Sequence, residues 1–144
     1  TASSLLMKII SHRGNLTGES NLENNPKQIS KVLSLGFDCE IDLWIKENKY
    51  FLGHDTPTFE IDKSFLEQPG LWIHCKNLES LEKISPKLNY FWHQTDDFVL
   101  TSKGYIWTFP NKPVNKKSVI VDKGNNWKSK DYDCFAVCVD YVLS

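Results

Sequence analysis

The chain has 144 residues, 40% hydrophobic, 12% aromatic and 24% charged, which suffices for one domain around one core and excludes a disordered, collagenous or coiled-coil protein. Seventeen basic against eighteen acidic side chains leave a formal charge of -1, so no global field recruits nucleic acid or an anionic membrane, and an anion has to be held by a local site. No apolar run approaches the roughly 18 residues of a transmembrane helix.

Residues 1–6 precede the run Met7-Lys8-Ile9-Ile10 and read as a cloning remnant or disordered extension, leaving 7–144 as the expected single domain. The first strand is expected over 7–11, stopping at His12-Arg13-Gly14, and the Gly-, Asn- and Ser-rich stretch to Asn24 reads as loop. A helix follows, with Asn25 as its cap, Pro26 at its first position, Gln28 as a capping-box partner, Ile29, Val32 and Leu33 on one face, and Gly36 at its end. Over 37–44 a strand alternates Phe37, Cys39, Ile41 and Leu43 with Asp38, Glu40 and Asp42. Residues 50–52 read as a hairpin arm ending at Gly53-His54-Asp55, and 71–75 as a buried strand. Asn77 is expected to cap a short helix carrying Leu78, Leu81 and Ile84, which Pro86 closes. Strands over 90–93, 105–109, 118–121 and 135–139 complete about seven, and Trp127 in its Gly-Asn-Asn-Trp loop reads as exposed. Cys39, Cys75, Cys134 and Cys138 lack Cys-x-x-Cys spacing and are expected to be reduced core thiols of a cytoplasmic protein. Asn15-Leu16-Thr17 is an isolated glycosylation triplet.

All four histidines, His12, His54, His74 and His93, fall where strand-like runs give way to loops. In parallel α/β folds the carboxyl ends of strands converge on one rim, the usual place for a site. Glu40 and Asp42 share a strand face, which is either the solvated side of an edge strand or a buried pair needing a divalent cation or basic partners. His74 and Lys76 form a second i, i+2 pair opposite a cysteine. Carboxylates, imidazoles and an ammonium directed to one place suit a phosphate ester: cations neutralise phosphoryl oxygens while imidazoles move protons. Asp55 reads equally as a partner for the His54 ring or as a turn cap, and His93 with Gln94 as a further polar wall. Lys123, Lys128 and Lys130 around Trp127 read as a solvated loop rather than an anion site.

His12-Arg13-Gly14 after a first strand, Glu23-Asn24 before a helix, Gly36-Phe37-Asp38-Cys39-Glu40-Ile41-Asp42 on the second strand and Gly53-His54-Asp55 beyond it resemble the amino-terminal half of a glycerophosphodiester phosphodiesterase, of the superfamily that includes phosphatidylinositol-specific phospholipases C. Further on, Ile73-His74-Cys75-Lys76, Tyr105-Ile106-Trp107-Thr108 and Val137-Cys138-Val139-Asp140 resemble later strands of that family. The resemblance implies an α/β fold, a compact, trimmed TIM-like (β/α) barrel of about seven to eight short strands and few helices, since a full barrel needs about 200 to 250 residues. It also implies metal-dependent hydrolysis of a small phosphodiester. Carried over by position, His12 and His54 are the acid–base pair, Arg13 and Lys76 bind phosphate, Trp107 lines the pocket, and Glu40, Asp42 and His74 hold the metal. His74 replaces the family's third carboxylate ligand. The family implies Mg²⁺ or Ca²⁺, whereas an imidazole ligand favours Mn²⁺ or Zn²⁺. The alternative is a phospho-ligand or partner-binding domain that lost turnover together with that carboxylate.

Overall fold

A computed structural model describes residues 7–143; residues 1–6, read above as an extension, lie outside the described residues. The strands in chain order are β1 (Lys8–His12), β2 (Asp38–Lys46), β3 (Lys49–Leu52), β4 (Phe59–Ile61), β5 (Leu71–Cys75), β6 (Tyr90–Phe91), β7 (Phe98–Leu100), β8 (Ile106–Thr108), β9 (Ser118–Asp122) and β10 (Ala136–Val139). Two α-helices, α1 (Pro26–Ser34) and α2 (Leu78–Lys83), and two 3-10 turns, Lys63–Glu67 and Trp127–Lys130, complete the regular structure.

The ten strands form one sheet that runs parallel from β6 through β5, β2, β1, β10 and β9 to β8. β7 returns antiparallel on β8, and the β3–β4 pair extends antiparallel from the far half of β2. Among the described residues no ladder joins β6 to β7 or β8. The expected TIM-like barrel is therefore corrected to a curled mixed sheet, a half-barrel. Its physical reason lies in the connections: after α2 the links are loops and one 3-10 turn, so no helix follows the later strands. β6 has only two residues and β7 turns back on its own hairpin, which leaves the curl open.

Alternation along each strand sorts the side chains. Outward, Cys39, Ile41, Leu43, Leu71, Ile73 and Cys75 pack against Ile29 and Val32 of α1. A second outer cluster joins Val137, Val139 and Ile120 to Trp127 and Val142. On the concave side Ile10, Trp72, Phe91, Trp107, Val119 and Cys138 fill the lower part of the curl, with the Phe91 and Trp107 rings stacked at 4.4 Å. Burying such large rings stabilises each by about 2–3 kcal/mol, and it floors the cavity described below. The four cysteines are free; Cys39, Cys75 and Cys138 are buried in the core as expected, whereas Cys134 is half-buried.

Helix α1 begins as anticipated: Asn25 Oδ1 accepts from the Lys27 and Gln28 amides, Pro26 takes the first turn, and Gly36 follows the end at φ 94°. Gln28 does not close a capping box; its amide donates to Gly14 O (2.9 Å) and ties the helix to the His12 corner. Helix α2 starts at its expected cap, Asn77, whose side chain accepts the Ser80 amide, and Ile84 at its end is buried. Leu78 is 81% exposed, and the helix is fastened by Asn77, whose side chain bonds both backbone groups of Ile45. Trp127 is likewise buried, not exposed, with its Nε1 donating to Tyr141 O (2.7 Å). Trp92, expected in a strand, lies beyond β6 and is half-exposed. No helix among the described residues is long and apolar enough to cross a membrane.

Candidate active site

At the carboxyl ends of the parallel strands the concave positions turn from apolar to polar. Ile10 gives way to His12, Trp72 to His74 and Lys76, Phe91 to His93, and Val121 to Lys123. Together with Arg13, Glu40, His54, Gln94, Trp107 and Phe109 they line one cavity of about 680 Å³. All four histidines reach it, but by two routes. His12, His74 and His93 come from parallel strands, whereas His54 arrives from antiparallel β3, which brings the chain back until the Gly53 amide donates to Asp42 O (3.1 Å).

Strand β2 lies inside the sheet with β1 and β5 on its two sides, so its acidic face is not solvated: Glu40 is 2% and Asp42 0% exposed. Burying two carboxylates needs compensation, and the surrounding loops supply it. Arg13, at φ 60° in the tight corner after β1, places Nε 3.3 Å from Asp42 Oδ2 and Nη1 3.5 Å from Glu23 Oε1. Although burial opposes its charge, Glu40, Asp42 and Glu23 keep Arg13 cationic. Asn24, also left-handed at φ 62°, clamps Asp42 from both ends, donating Nδ2 to Oδ2 and accepting the Asp42 amide, each at 2.9 Å. Burial and the Asp42 charge push Glu40 well above the carboxylate range, whereas Asp42, despite its burial, is held at about 2 by the adjacent His74 and Arg13.

Three ligand atoms converge beside this pair. His74 Nδ1 lies 3.2 Å from Asp42 Oδ1 and 3.8 Å from Glu40 Oε2. On the other side of the ring Nε2 donates to the His93 carbonyl (3.0 Å), so Nδ1 is the nitrogen that faces Asp42 and Glu40, with a lone pair in the neutral ring and a proton in the charged one. Glu40 Oε1 and Asp42 Oδ1 are buried without hydrogen-bond partners. Three such atoms facing one another need a proton or a cation among them, and an imidazole oriented by a backbone carbonyl is the usual arrangement of a metal-ligating histidine. The donor set fits a divalent ion held by Glu40, Asp42 and His74.

On the opposite side of Glu40, His12 Nδ1 donates to Asp140 Oδ1 (2.8 Å), while Nε2 faces Glu40 Oε1 at 3.9 Å. Asn15 Nδ2 bridges Asp140 Oδ1 (2.9 Å) and Glu23 Oε2 (2.6 Å), closing a network back to Arg13. Burial works against the Asp140 charge, but the bonds from His12 and Asn15 hold its carboxyl below the usual range. Asn15 of the glycosylation triplet is thus a buried network residue, 1% exposed. His54 is partly exposed, its Nδ1 2.9 Å from Oδ1 of the exposed Asp55, an ion-pair contact without the hydrogen bond that His12 makes to Asp140. Burial, then the charge of Arg13, lower the His54 pKa below its ordinary value.

His54 depends on its turn. A Cβ on Gly53 would overlap the Thr56 carbonyl oxygen, while the Gly53 carbonyl accepts Trp44 Nε1 at 2.7 Å. Gly53→Ala is expected to cost about 1–3 kcal/mol, measured by urea unfolding; unchanged stability would mean the turn relaxes freely.

All eight residues singled out by the sequence lie in this one region: His12, Arg13, Glu40, His54, His74, Lys76 and Trp107 line the cavity, and Asp42 sits buried behind Glu40 and His74. Sequence reasoning assigned no role to Asn15, Asn24 or Asp140. For Asp140 the signal was available, since it continues the concave alternation Ala136, Cys138 one position past β10. The two asparagines stand in stretches singled out above, Asn15 in its triplet and Asn24 beside Glu23, but their carboxylate partners Asp140 and Asp42 are 125 and 18 residues away. Comparison of the chain with protein-family models, curated proteins and solved structures returned no match.

Proposed function

We propose that this chain is a divalent-metal-dependent phosphodiesterase for glycerophosphodiester-like substrates, with His12 and His54 as its acid–base pair. The observation that carries this reading is the single cavity into which His12, oriented by Asp140, His54, the cations Arg13 and Lys76, and the edge of the Glu40, Asp42 and His74 group all open. Burial and Arg13 favour neutral His54, so its Nε2 accepts a proton from water, or from a vicinal substrate hydroxyl, as that oxygen attacks phosphorus. His12, with Nδ1–H engaged by Asp140, directs Nε2 into the cavity and, in its imidazolium form, gives the Nε2 proton to the departing alkoxide as the ester P–O bond breaks. Lys76 and Arg13 bind the phosphoryl oxygens, and Trp107 supports the alcohol from the floor. A divalent ion held by Glu40, Asp42 and His74 would supply Lewis-acid stabilisation of the phosphoryl charge.

The test is alcohol release from glycerophosphodiesters with Mg²⁺, Ca²⁺, Mn²⁺, Zn²⁺ or chelator. Turnover is expected with metal, with Mn²⁺ or Zn²⁺ at least matching Mg²⁺, and His54→Ala is expected to lower it by about 10²-fold. Turnover that survives chelation overturns the metal, and wild type no faster than the variant overturns the mechanism in favour of a phospho-ligand-binding domain.

A further inference from the structure

Three lysines surround Trp127, and the fold separates them. Lys128 lies over the Trp127 ring at 5.6 Å, and Lys130 pairs with Asp122 Oδ2 at 3.0 Å. Lys123 does neither: it continues the concave alternation of β9 beyond Val121 and lines the cavity. Its backbone is fixed by the residue before it. Asp122 is 6% exposed; its Oδ1 accepts the Gly124 amide (2.9 Å) and its Oδ2 the Tyr132 hydroxyl (2.6 Å) as well as Lys130.

The charges around the cavity set Lys123 apart from its neighbours. Glu40 and Asp42 face the candidate metal position, Glu23 faces Arg13, and Asp140 is bonded to His12, with Lys123 adding only a through-space attraction. Among the described residues Lys76 and Lys123 line the cavity without an ion-pair partner. They stand on different strands, Lys76 after β5 and Lys123 after β9, on the two sides of the β2–β1–β10 segment of the sheet. A phosphodiester carries one negative charge, which Lys76 answers. One cation is left over, beside an apolar wall of Trp107, Phe109, Pro110 and Val121.

Resting on the phosphodiesterase reading, we infer that Lys123 is a specificity-determining residue that binds a second anionic group on the substrate, so that the preferred diesters carry a phosphate or carboxylate on the alcohol rather than a neutral or cationic head. An ammonium without an ion-pair partner at the exposed rim of the cavity favours such a group and disfavours a quaternary amine.

Calorimetric binding of glycerophosphocholine, glycerophosphoglycerol and glycerophosphoinositol 4-phosphate to the His54→Ala protein tests this without turnover. The phosphate-bearing diester is expected to bind about tenfold tighter than glycerophosphoglycerol, and glycerophosphocholine most weakly. Lys123→Gln should collapse that ratio toward one, and Lys128→Gln should leave it intact. An alcohol bearing a carboxylate in place of the phosphate separates the two anion chemistries. Equal affinities for the three diesters, no binding of any, or a ratio that persists in Lys123→Gln overturns the inference. Selective binding of a diester that the wild-type protein does not cleave retains the role of Lys123 and overturns the hydrolytic reading instead.

Discussion

His12→Ala is expected to lower phosphodiester turnover by about 10²–10⁴-fold, and Asp140→Ala by about tenfold or more, although Asp140 touches no substrate. Asp140 Oδ1 accepts from both His12 Nδ1 (2.8 Å) and Asn15 Nδ2 (2.9 Å). That bond keeps the proton on Nδ1 and turns Nε2 toward Glu40 and the cavity. Alanine removes the acceptor, freeing the ring to change tautomer, and leaves buried donors short of a partner at about 1–3 kcal/mol in stability. Asparagine at the same place retains a carbonyl oxygen that accepts both donors and removes only the charge. The expected signature is an altered His12 tautomer in the nitrogen-15 spectrum of Asp140→Ala, restored together with part of the turnover in Asp140→Asn. A tautomer identical in all three proteins would show that Asp140 is structural and does not position His12.

Much of the site was legible because the strands obey a period of two. Once Cys39, Ile41 and Leu43 face the outer core, Glu40 and Asp42 must face inward, and the same rule carries Trp72 to His74 and Lys76. Whether that inward face was wet or buried depended on the neighbours of β2, which are residues 8–12 and 71–75; its own sequence fits either case. The architecture was less legible. Periodicity marks strands one at a time, whereas closure depends on whether the two ends of the sheet meet, and here β6 is too short and β7 folds back on β8. The strands at 59–61 and 98–100 escaped notice because each is three residues long and buries none of them, unlike the equally short 106–108. Trp127 misled for another reason: the residues that bury it, Val137, Val139 and Val142, lie beyond its polar local loop.

Asp42→Asn is expected to lower divalent-metal affinity by at least about 10²-fold while leaving the chain folded. The substitution preserves shape: Asn24 and Arg13 both approach Oδ2, and Oδ1 lacks a hydrogen-bond partner, so the change falls on the charge that the metal position requires. In wild type, Mn²⁺ or Zn²⁺ at about 100 times its dissociation constant should stabilise the fold by about 2.7 kcal/mol, read as a rise in melting temperature that chelator reverses and the variant lacks. The same measurement on His74→Glu separates the ligands. Exchanging a nitrogen donor for a third carboxylate should move the preference from Zn²⁺ or Mn²⁺ toward Mg²⁺ or Ca²⁺. A wild-type protein indifferent to every divalent ion would mean that a proton on His74 Nδ1, 3.2 Å from Asp42 Oδ1, supplies the positive charge, and the site would then work without metal or only bind. Equal metal responses in wild type and Asp42→Asn would place the ion elsewhere. Only a response lost in Asp42→Asn and re-tuned in His74→Glu fits a centre built from both residues.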